Sequence, residues 1–325
     1  MILYTGGTIG MVSSDEGLVA NTGFEHYLNE YLDNVNEIGN NQWLYQEVAP
    51  LIDSANMSPS YWQNLLGFVI DAVRCYDCDS VLILQGTDTL AYSAAALSFQ
   101  LLKFDIPILM TGSMIPAFAP DSDARENICG AMAALSQGNV KELQVYFHGE
   151  LLSGTRSRKC RSVGRNPFIS LPVLEPKPLI KHVPDELAYS FVSSLPTVAV
   201  LPLFPGLSAY QLQSIMGLFL HGLVIECYGS GTGPSDDDAF ITCIQQLIAQ
   251  GVVVVAISQC AEGSVDFSSY KAANAFHEIG VISGGCMSRE AALAKLSRLL
   301  GLGLSADDIA FYFPQNLCGE FGFLG

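Results

Sequence analysis

The chain has 325 residues, a formal net charge of −17 and only 14% charged residues. This acidity argues against nucleic acid and anionic membranes as partners, because both would repel the protein. No apolar run is long enough to span a bilayer and no basic residue precedes Arg74, so we expect neither a membrane helix nor a secretory signal. Nine scattered cysteines, an odd number, favour a reduced, cytoplasmic protein over a disulfide scaffold.

Two short apolar runs in the first third of the chain each end in a threonine-bearing turn. Met1–Tyr4 predicts a buried strand and leads into Thr5-Gly6-Gly7-Thr8. Ser80–Leu84 predicts a second buried strand and leads into Gln85-Gly86-Thr87-Asp88-Thr89. Open α/β sheets place their sites at the carboxyl ends of strands, so these turns are candidate sites for nucleophilic chemistry.

The rest of the chain predicts strands and helices in alternation. Residues 8–22 are polar and contain glycine, so we expect a loop there. Ser58 and Pro59 predict a helix start, with an N-cap and a first-turn proline, and the helix should run to about Arg74. Such alternation indicates a mainly parallel sheet covered by helices. Further helices are predicted over Ala91–Lys103, Arg125–Leu135, Asp236–Gln250, Tyr270–Ile279 and Arg289–Leu300, and further strands over Pro107–Met110, Leu143–Phe147, Val198–Leu201, Leu223–Cys227 and Val252–Ile257.

A proline-rich segment interrupts the alternation. Six of the 15 prolines lie at positions 167, 172, 176, 178, 184 and 196. Proline continues neither helices nor central strands, so this stretch predicts a connection between domains. We therefore expect an N-terminal α/β domain over 1–176, a linker over 177–196 and a C-terminal α/β domain over 197–325.

The two threonine turns leave alternatives open when considered alone. The glycine pair before Thr8 fits either a catalytic turn or a plain tight turn, and it is neither a dinucleotide fingerprint nor a P-loop. Asp88 is suited to binding an ammonium group or orienting a base. It is equally suited to capping a helix that begins near Leu90, and both roles are compatible.

A basic segment follows in this otherwise acidic chain. Such a run usually forms a solvated face, and we expect this of most of its members. One lysine beside a threonine and an aspartate could act as a general base. The segment contains Arg156, Arg158, Lys159, Arg161 and Arg165.

Cys75 and Cys78 have the spacing of a metal or redox motif. They lie at the end of a predicted helix, and no second pair stands at zinc-finger distance. The histidines are isolated and are expected to be structural. We therefore expect neither a metal ion nor a cofactor.

Four segments together resemble a known family, the L-asparaginases, and in particular its cytoplasmic type I branch. They are Tyr4–Gly10, Gln85–Leu90, Gly154–Lys159 and Tyr270–Met287, in the order and spacing of that family. The resemblance covers essentially the whole chain. It implies a fold of two α/β domains, a larger N-terminal one with a mainly parallel sheet and a smaller C-terminal one. It also implies hydrolysis of L-asparagine to L-aspartate and ammonia, without a cofactor.

The resemblance assigns the catalytic roles as follows. Thr8 matches the primary nucleophile, which forms an acyl-enzyme with the substrate. Thr87, Asp88 and Lys159 match the second catalytic group, which handles proton transfer. The family builds its sites at subunit interfaces, and the charged fraction is well below the roughly 25% of typical soluble proteins. We therefore expect a homodimer or homotetramer.

Substrate binding and nucleophile activation are implied in the same way. Asp53 and Ser54 match residues that hold the α-carboxylate and α-amine region of the substrate, and Asp88 also receives the α-amine. Tyr270 matches a tyrosine that activates the first threonine in some relatives. Leu18 stands where many bacterial relatives carry a loop tyrosine, which makes Tyr270 the better candidate for the activator.

Some relatives also bind asparagine at an allosteric site. The matching positions carry Arg158 and Glu226, where an allosteric relative has a threonine and an arginine. A carboxylate in place of a cation would repel the carboxylate of the effector. We therefore expect little or no activation by asparagine.

Three other functions compete with an asparaginase. A broader asparaginase-glutaminase would share every motif, and only kinetics would separate the two. An amidotransferase subunit that acts on charged tRNA shares the domain but carries an extra N-terminal domain, whereas this acidic sequence begins at the first strand. A non-catalytic amino-acid-binding relative would keep the pocket without releasing ammonia.

Overall fold

The structure is a computed structural model, and it describes residues 1–14, 17–20, 23–32, 42–173, 176–216, 219–268 and 271–322. Its internal contacts divide the chain into two compact units, Met1–Ser170 and Leu171–Gly325. The expected boundary at residue 176, with a linker over 177–196, stays a prediction.

The first unit is built on a six-stranded sheet flanked by helices. The sheet order is β4-β1-β5-β6-β7-β8, and every neighbouring pair is parallel except the last. The strands are β1 (Ile2–Gly6), β2 (Met11–Ser14), β3 (Gly17–Ala20), β4 (Tyr45–Ile52), β5 (Val81–Leu84), β6 (Ile108–Thr111), β7 (Leu143–Phe147), β8 (Glu150–Ser153), β9 (Ser157–Lys159) and β10 (Phe168–Ser170), and the helices are α1 (Phe24–Leu32), α2 (Pro59–Arg74), α3 (Leu90–Gln100) and α4 (Ala124–Ser136).

The predicted strands of this unit are confirmed to within two residues at each end. Strands β1, β5 and β6 are buried along their whole length, as expected for interior strands of a parallel sheet covered on both faces. Helix α2 begins as predicted, because the Ser58 hydroxyl accepts the backbone N–H of Tyr61 at 3.3 Å. The prediction for α3 ran three residues too far, since the helix ends at Gln100 and Lys103 adopts a φ of +66°.

Two local predictions in this unit were wrong or incomplete. The expected loop over residues 8–22 contains an antiparallel hairpin of β2 and β3, with Met11 opposite Ala20. Its stability depends on pairing between strands, which local polarity does not show. Strand β4, which contains Pro50, was not predicted. It lies at the edge of the sheet, where proline is tolerated.

The second unit contains a four-stranded parallel sheet of order β11-β12-β13-β14. The three predicted strands and three predicted helices of this half are confirmed, whereas β14, α5 and α9 were not predicted. The α/β fold class, with the larger sheet in the N-terminal unit, is therefore confirmed. The strands are β11 (Val198–Pro202), β12 (Gly222–Cys227), β13 (Val253–Ser258) and β14 (Ile282–Ser283), and the helices are α5 (Ala209–Met216), α6 (Asp238–Ala249), α7 (Lys271–Glu278), α8 (Arg289–Gly301) and α9 (Ala306–Tyr312).

Candidate active site

The turns after β1, β4 and β5 meet at one edge of the six-stranded sheet. The three strands are adjacent and parallel, so their carboxyl ends lie together. A Cβ atom placed on Gly7 would lie only 2.3 Å from the Cα atom of Gly86. The backbones of the first and third turns are therefore in direct contact, and each turn presents a threonine immediately after its glycine.

The first turn bends in a way that only glycine allows. Gly6 and Gly7 have φ angles of +102° and +85°, in the region that side chains disfavour. A Cβ atom on Gly6 would also lie 2.5 Å from the carbonyl oxygen of Ile52 on β4. Thr8 follows, partly exposed, as the first residue of a short 3₁₀ turn. The glycine pair thus brings the turn that carries Thr8 against the ends of both neighbouring strands.

Lys159 joins β9 to the turn after β5. Its ammonium donates hydrogen bonds to Thr87 Oγ1 at 2.7 Å and to Asp88 Oδ1 at 2.6 Å. Thr87 is buried, and the side chain of Lys159 is 16% exposed, whereas that of Asp88 is 65% exposed. A lysine on a threonine hydroxyl can transfer protons, and an exposed carboxylate can receive a second cation from solvent.

Asp88 does not cap the helix that follows it. The N-cap of α3 is Thr89, which makes no capping bond with its side chain. The carboxylate of Asp88 binds Lys159 instead. Of the two roles that the sequence left open for Asp88, the capping role was wrong and the ammonium-binding role matches the geometry.

Asp53 and Ser54 follow β4 at the same edge of the sheet. Asp53 is exposed, and its carboxylate accepts the backbone N–H of Ala55 at 3.0 Å. Ser54 is buried, and its carbonyl accepts the hydroxyl of Thr89 at 2.7 Å. A Cβ atom on Gly86 would lie 2.6 Å from Ser54 Oγ, so the serine hydroxyl lies against the third turn.

The structure thus brings most of the predicted site residues to one sheet edge. Thr87, Asp88 and Lys159 are directly hydrogen-bonded, and the turns that carry Thr8 and Ser54 contact Gly86. Tyr270 lies outside the described residues, as does the side chain of Leu18 on β3.

Tyr61 supports this edge and was missed by the sequence analysis. Its hydroxyl donates to the carbonyl oxygens of Val48 at 2.8 Å and Pro50 at 3.1 Å, close to the end of β4. Burial raises the pKa of the Tyr61 hydroxyl, so it remains a donor at all physiological pH values. The sequence signal that was available for this role is the position of Tyr61, a residue with a polar hydroxyl, in the first turn of the helix that begins at Ser58-Pro59.

The basic segment is less solvated than expected. Arg156 is 3% exposed and Arg158 and Arg165 are partly buried, so only Arg161 among the arginines of this segment is exposed. Arg165 donates to the carbonyl of Asp121 at 2.7 Å and lies 3.7 Å from the carboxylate of Glu126. Members of the segment therefore serve different purposes, and Lys159 contacts the turn that carries Thr87.

No candidate metal centre appears among the residues that the structure describes, since no three His, Cys, Asp or Glu side chains are grouped to hold an ion. Cys75 and Cys78 are free thiols just beyond the end of α2, as the sequence predicted for a helix end. The sulfur of Cys75 lies 3.9 Å from Asp71 Oδ1, which is an ordinary contact within the last helical turn.

The carboxylate of Glu226 is buried and ion-paired, whereas the sequence alone suggested a carboxylate with an uncompensated charge. Its side chain is 2% exposed, and Arg289 donates to both carboxylate oxygens, at 2.7 and 2.6 Å. This bidentate pair neutralises the charge. The expected repulsion of an effector carboxylate therefore loses its basis, although the position still offers no unpaired cation of its own.

Comparisons with protein families match both halves of the chain. A model described as "Asparaginase, N-terminal" matches residues 1–182, and a model described as "Glutaminase/Asparaginase C-terminal domain" matches residues 197–313.

Full-length relatives give the same result. L-asparaginase 1 of Escherichia coli strain K12 is 32% identical over 332 residues, which cover 98% of this chain and 96% of the relative. The solved structure of the thermostable L-asparaginase from Thermococcus kodakarensis has a TM-score of 0.83 at 29% identity and covers 100% of this chain and 98% of that one. The structure of L-asparaginase I from Vibrio cholerae also has a TM-score of 0.83, at 28% identity, with 99% and 98% of the two chains covered. The chain therefore belongs to the asparaginase family, in the type I branch that E. coli L-asparaginase 1 represents.

Proposed function

We propose that the protein hydrolyses the side-chain amide of L-asparagine to L-aspartate and ammonia through an acyl-enzyme on Thr8. The observation that carries this proposal is the 2.7 Å hydrogen bond from Lys159 to Thr87, beside the turn that bears Thr8. A nucleophilic hydroxyl next to a hydroxyl linked to a lysine has the groups that a two-step acyl transfer requires. Relatives named L-asparaginase support the same substrate.

The first step transfers the acyl group to the enzyme. The hydroxyl oxygen of Thr8 attacks the carboxamide carbon, the C–N bond breaks, and the hydroxyl proton leaves with the nitrogen as ammonia. Backbone N–H groups of the two threonine turns stabilise the oxyanion, a contribution on the order of 10²–10³ in rate per donor. We assign the activation of Thr8 to Tyr270, on the basis of the family resemblance.

The second step releases L-aspartate. Before this step Lys159, which bonds to Thr87 as an ammonium, gives one proton to solvent. Water then adds to the ester carbonyl, and its proton passes through the hydroxyl of Thr87 to the neutral amine of Lys159. Lys159 then returns a proton to the oxygen of Thr8 as the ester bond breaks, which restores the enzyme. Two hydroxyls and one lysine thus supply the nucleophile and the proton transfers, so the route requires no metal or cofactor.

The charges at the sheet edge suit an α-amino acid. Asp88 Oδ1 binds Lys159, which leaves Oδ2 of this largely exposed carboxylate to receive the α-ammonium group. We also assign Asp53 and Ser54 to the α-carboxylate and α-amine region of the substrate, since Ser54 lies against the Gly86 turn.

An ammonia-release assay tests this function and its alternatives. We expect a higher kcat/KM with L-asparagine than with L-glutamine, unchanged by dialysis against EDTA. Equal or greater efficiency with glutamine would favour the broader asparaginase-glutaminase. Binding of asparagine without release of ammonia would instead identify an amino-acid-binding relative.

Initial rates against asparagine concentration are expected to be hyperbolic, with a Hill coefficient near 1. The carboxylate of Glu226 is already paired with Arg289, so this position provides no cation for an effector carboxylate. Clearly sigmoidal rates from the purified protein would contradict this and show that the site persists in another form, with Arg158 as the first candidate for its cation.

We also propose a cytoplasmic homo-oligomer, a dimer or a tetramer. Within the described residues no helix is long and apolar enough to cross a membrane. The second unit exposes large aromatic side chains, with Tyr210 at 79% and Phe219 at 93%, which fits burial against another copy. Light scattering of the purified protein should give at least a dimer mass, and a fully active monomer would contradict the proposal.

A further inference from the structure

Asp123 is a buried carboxylate that the proposed mechanism leaves without a role. It occupies the N-cap position of α4 and is 1% exposed, yet its side chain does not cap its own helix. The N–H of Ala124 is bonded to Ser122 Oγ instead, at 3.1 Å. Both carboxylate oxygens of Asp123 accept the N–H of Met114, at 3.1 and 3.0 Å, and Oδ1 also accepts the N–H of Ile115 at 3.0 Å. The carboxylate therefore holds the turn that follows β6.

Asn127, one helical turn further along α4, completes this arrangement. Its amide nitrogen donates to the carbonyl of Gly112 at 2.9 Å and to Asp123 Oδ2 at 3.2 Å. Its amide oxygen accepts the N–H of His148 at 2.9 Å, in the turn after β7. Asn127 is 1% exposed, and both ends of its side chain are bonded. It thus ties the turn after β6 to the start of the hairpin that precedes Lys159.

The turn held by these two side chains lies directly against Thr87. A Cβ atom placed on Gly112 would lie 2.2 Å from the carbonyl oxygen of Gln85 and 3.6 Å from Thr87 Cγ2. The carbonyl of Thr111 also accepts the N–H of Gln85 at 2.9 Å. With so little space between the two turns, a shift at Gly112 must displace Thr87 or its neighbours.

We propose that Asp123 and Asn127 are positioning residues for the reaction, and we call them the α4 clasp. They hold the turn 112–115 against Thr87, so that the Thr87 hydroxyl stays within hydrogen-bonding distance of Lys159. Bonds from backbone N–H groups to a carboxylate are among the stronger hydrogen bonds, and the helix N-terminus favours the negative charge at Asp123. The inference deepens the proposed asparaginase activity and rests on it for its kinetic readout.

Substitutions in the clasp are expected to lower kcat and change KM little. A displacement of about 1 Å in a reacting group can cost on the order of 10²-fold in rate, and we expect a loss of this size for Asp123→Ala and Asn127→Ala. Asp123→Asn should be intermediate, because the amide keeps one acceptor oxygen but turns donors toward Met114 and Asn127.

A matched control is Asp237→Ala, since Asp237 is the N-cap of α6 and caps its own helix through the N–H of Phe240 at 3.0 Å. It should lower the Tm and leave kcat unchanged.

Hydrogen exchange gives a second readout that does not depend on turnover. In Asp123→Ala we expect faster backbone exchange at residues 112–115 and also at 85–89, measured at a temperature where circular dichroism shows a folded protein. If Asp123→Ala does not fold, Asp123→Asn and Asn127→Ala decide. An unchanged kcat with a lowered Tm, as in the control, or faster exchange confined to 112–115, would overturn the proposal. If the wild-type protein releases no ammonia, the proposed function fails, and exchange at 85–89 still decides whether the clasp acts on Thr87.

Discussion

Replacement of Thr8 by alanine is expected to lower kcat for asparagine by at least about 10⁴-fold, because no acyl-enzyme can form without the nucleophile. Thr87→Ala should cost roughly 10²–10⁴-fold, the usual contribution of a positioned proton-transfer group. The double variant should be little worse than Thr8→Ala, since both residues serve the same reaction sequence. Steady-state ammonia release, with Tm and circular dichroism on each variant, measures these effects.

Serine variants are the matched controls for this result. Thr8→Ser and Thr87→Ser keep the hydroxyl and remove only a methyl group, so each should retain much more activity than the alanine variant at the same position. A Thr8→Ala protein with turnover close to wild type would refute the nucleophile assignment. Equal losses in the serine and alanine variants of Thr87 would point to packing of its methyl group rather than to proton transfer.

The parts of the site that could be predicted from the sequence are those encoded within short segments. The apolar runs of β1 and β5 predicted buried parallel strands, and the glycines after them marked close backbone approach. The sequence thus placed each threonine turn at the carboxyl end of a strand. The structure then showed that β1 and β5 are neighbours, which brings the two turns together.

Contacts between distant segments could not be predicted in this way. Thr87 and Lys159 are 72 residues apart, and their 2.7 Å contact depends on β9 reaching the end of β5. Local pattern alone left Lys159 as one member of a basic run, and only the family resemblance singled it out. Asp123 precedes the predicted helix over Arg125–Leu135, and its carboxylate bonds to Met114 and Ile115, nine and eight residues earlier in the chain. Local pattern shows no such contact.

Long-range contacts also hold the parts of the sheet that surround the site and that the sequence did not predict. Strand β4 contains Pro50 and lies at the sheet edge, yet Tyr61 fixes its end through two carbonyl groups. The turn after β6 is fixed by the α4 clasp from the other side of Thr87. Side chains at or on helices thus hold these backbone turns, and these side chains differ from the residues that we propose to react.

Lys159→Met is expected to lower kcat by roughly 10²–10⁴-fold, the range for loss of a general acid–base group, while stability changes little. Its partner Asp88 is 65% exposed and keeps its hydration when the ammonium is lost. Ion pairs with an exposed partner contribute only about 0–1 kcal/mol to the free energy of unfolding. The exposed Lys141→Met is the control for charge loss alone, and it should leave kcat unchanged.

Lys159→Arg separates proton transfer from simple charge compensation at this position. Arginine restores the positive charge beside Asp88, but its guanidinium stays protonated at any physiological pH and cannot accept the proton of the attacking water. If Lys159 acts as proposed, the arginine variant should be nearly as slow as Lys159→Met, although it binds asparagine with a KM close to wild type. Activity near wild type in Lys159→Arg would show that the ammonium serves only to neutralise Asp88 and orient Thr87. In that case the deacylation proton would have to leave through another group, and Tyr270 would be the first residue to test.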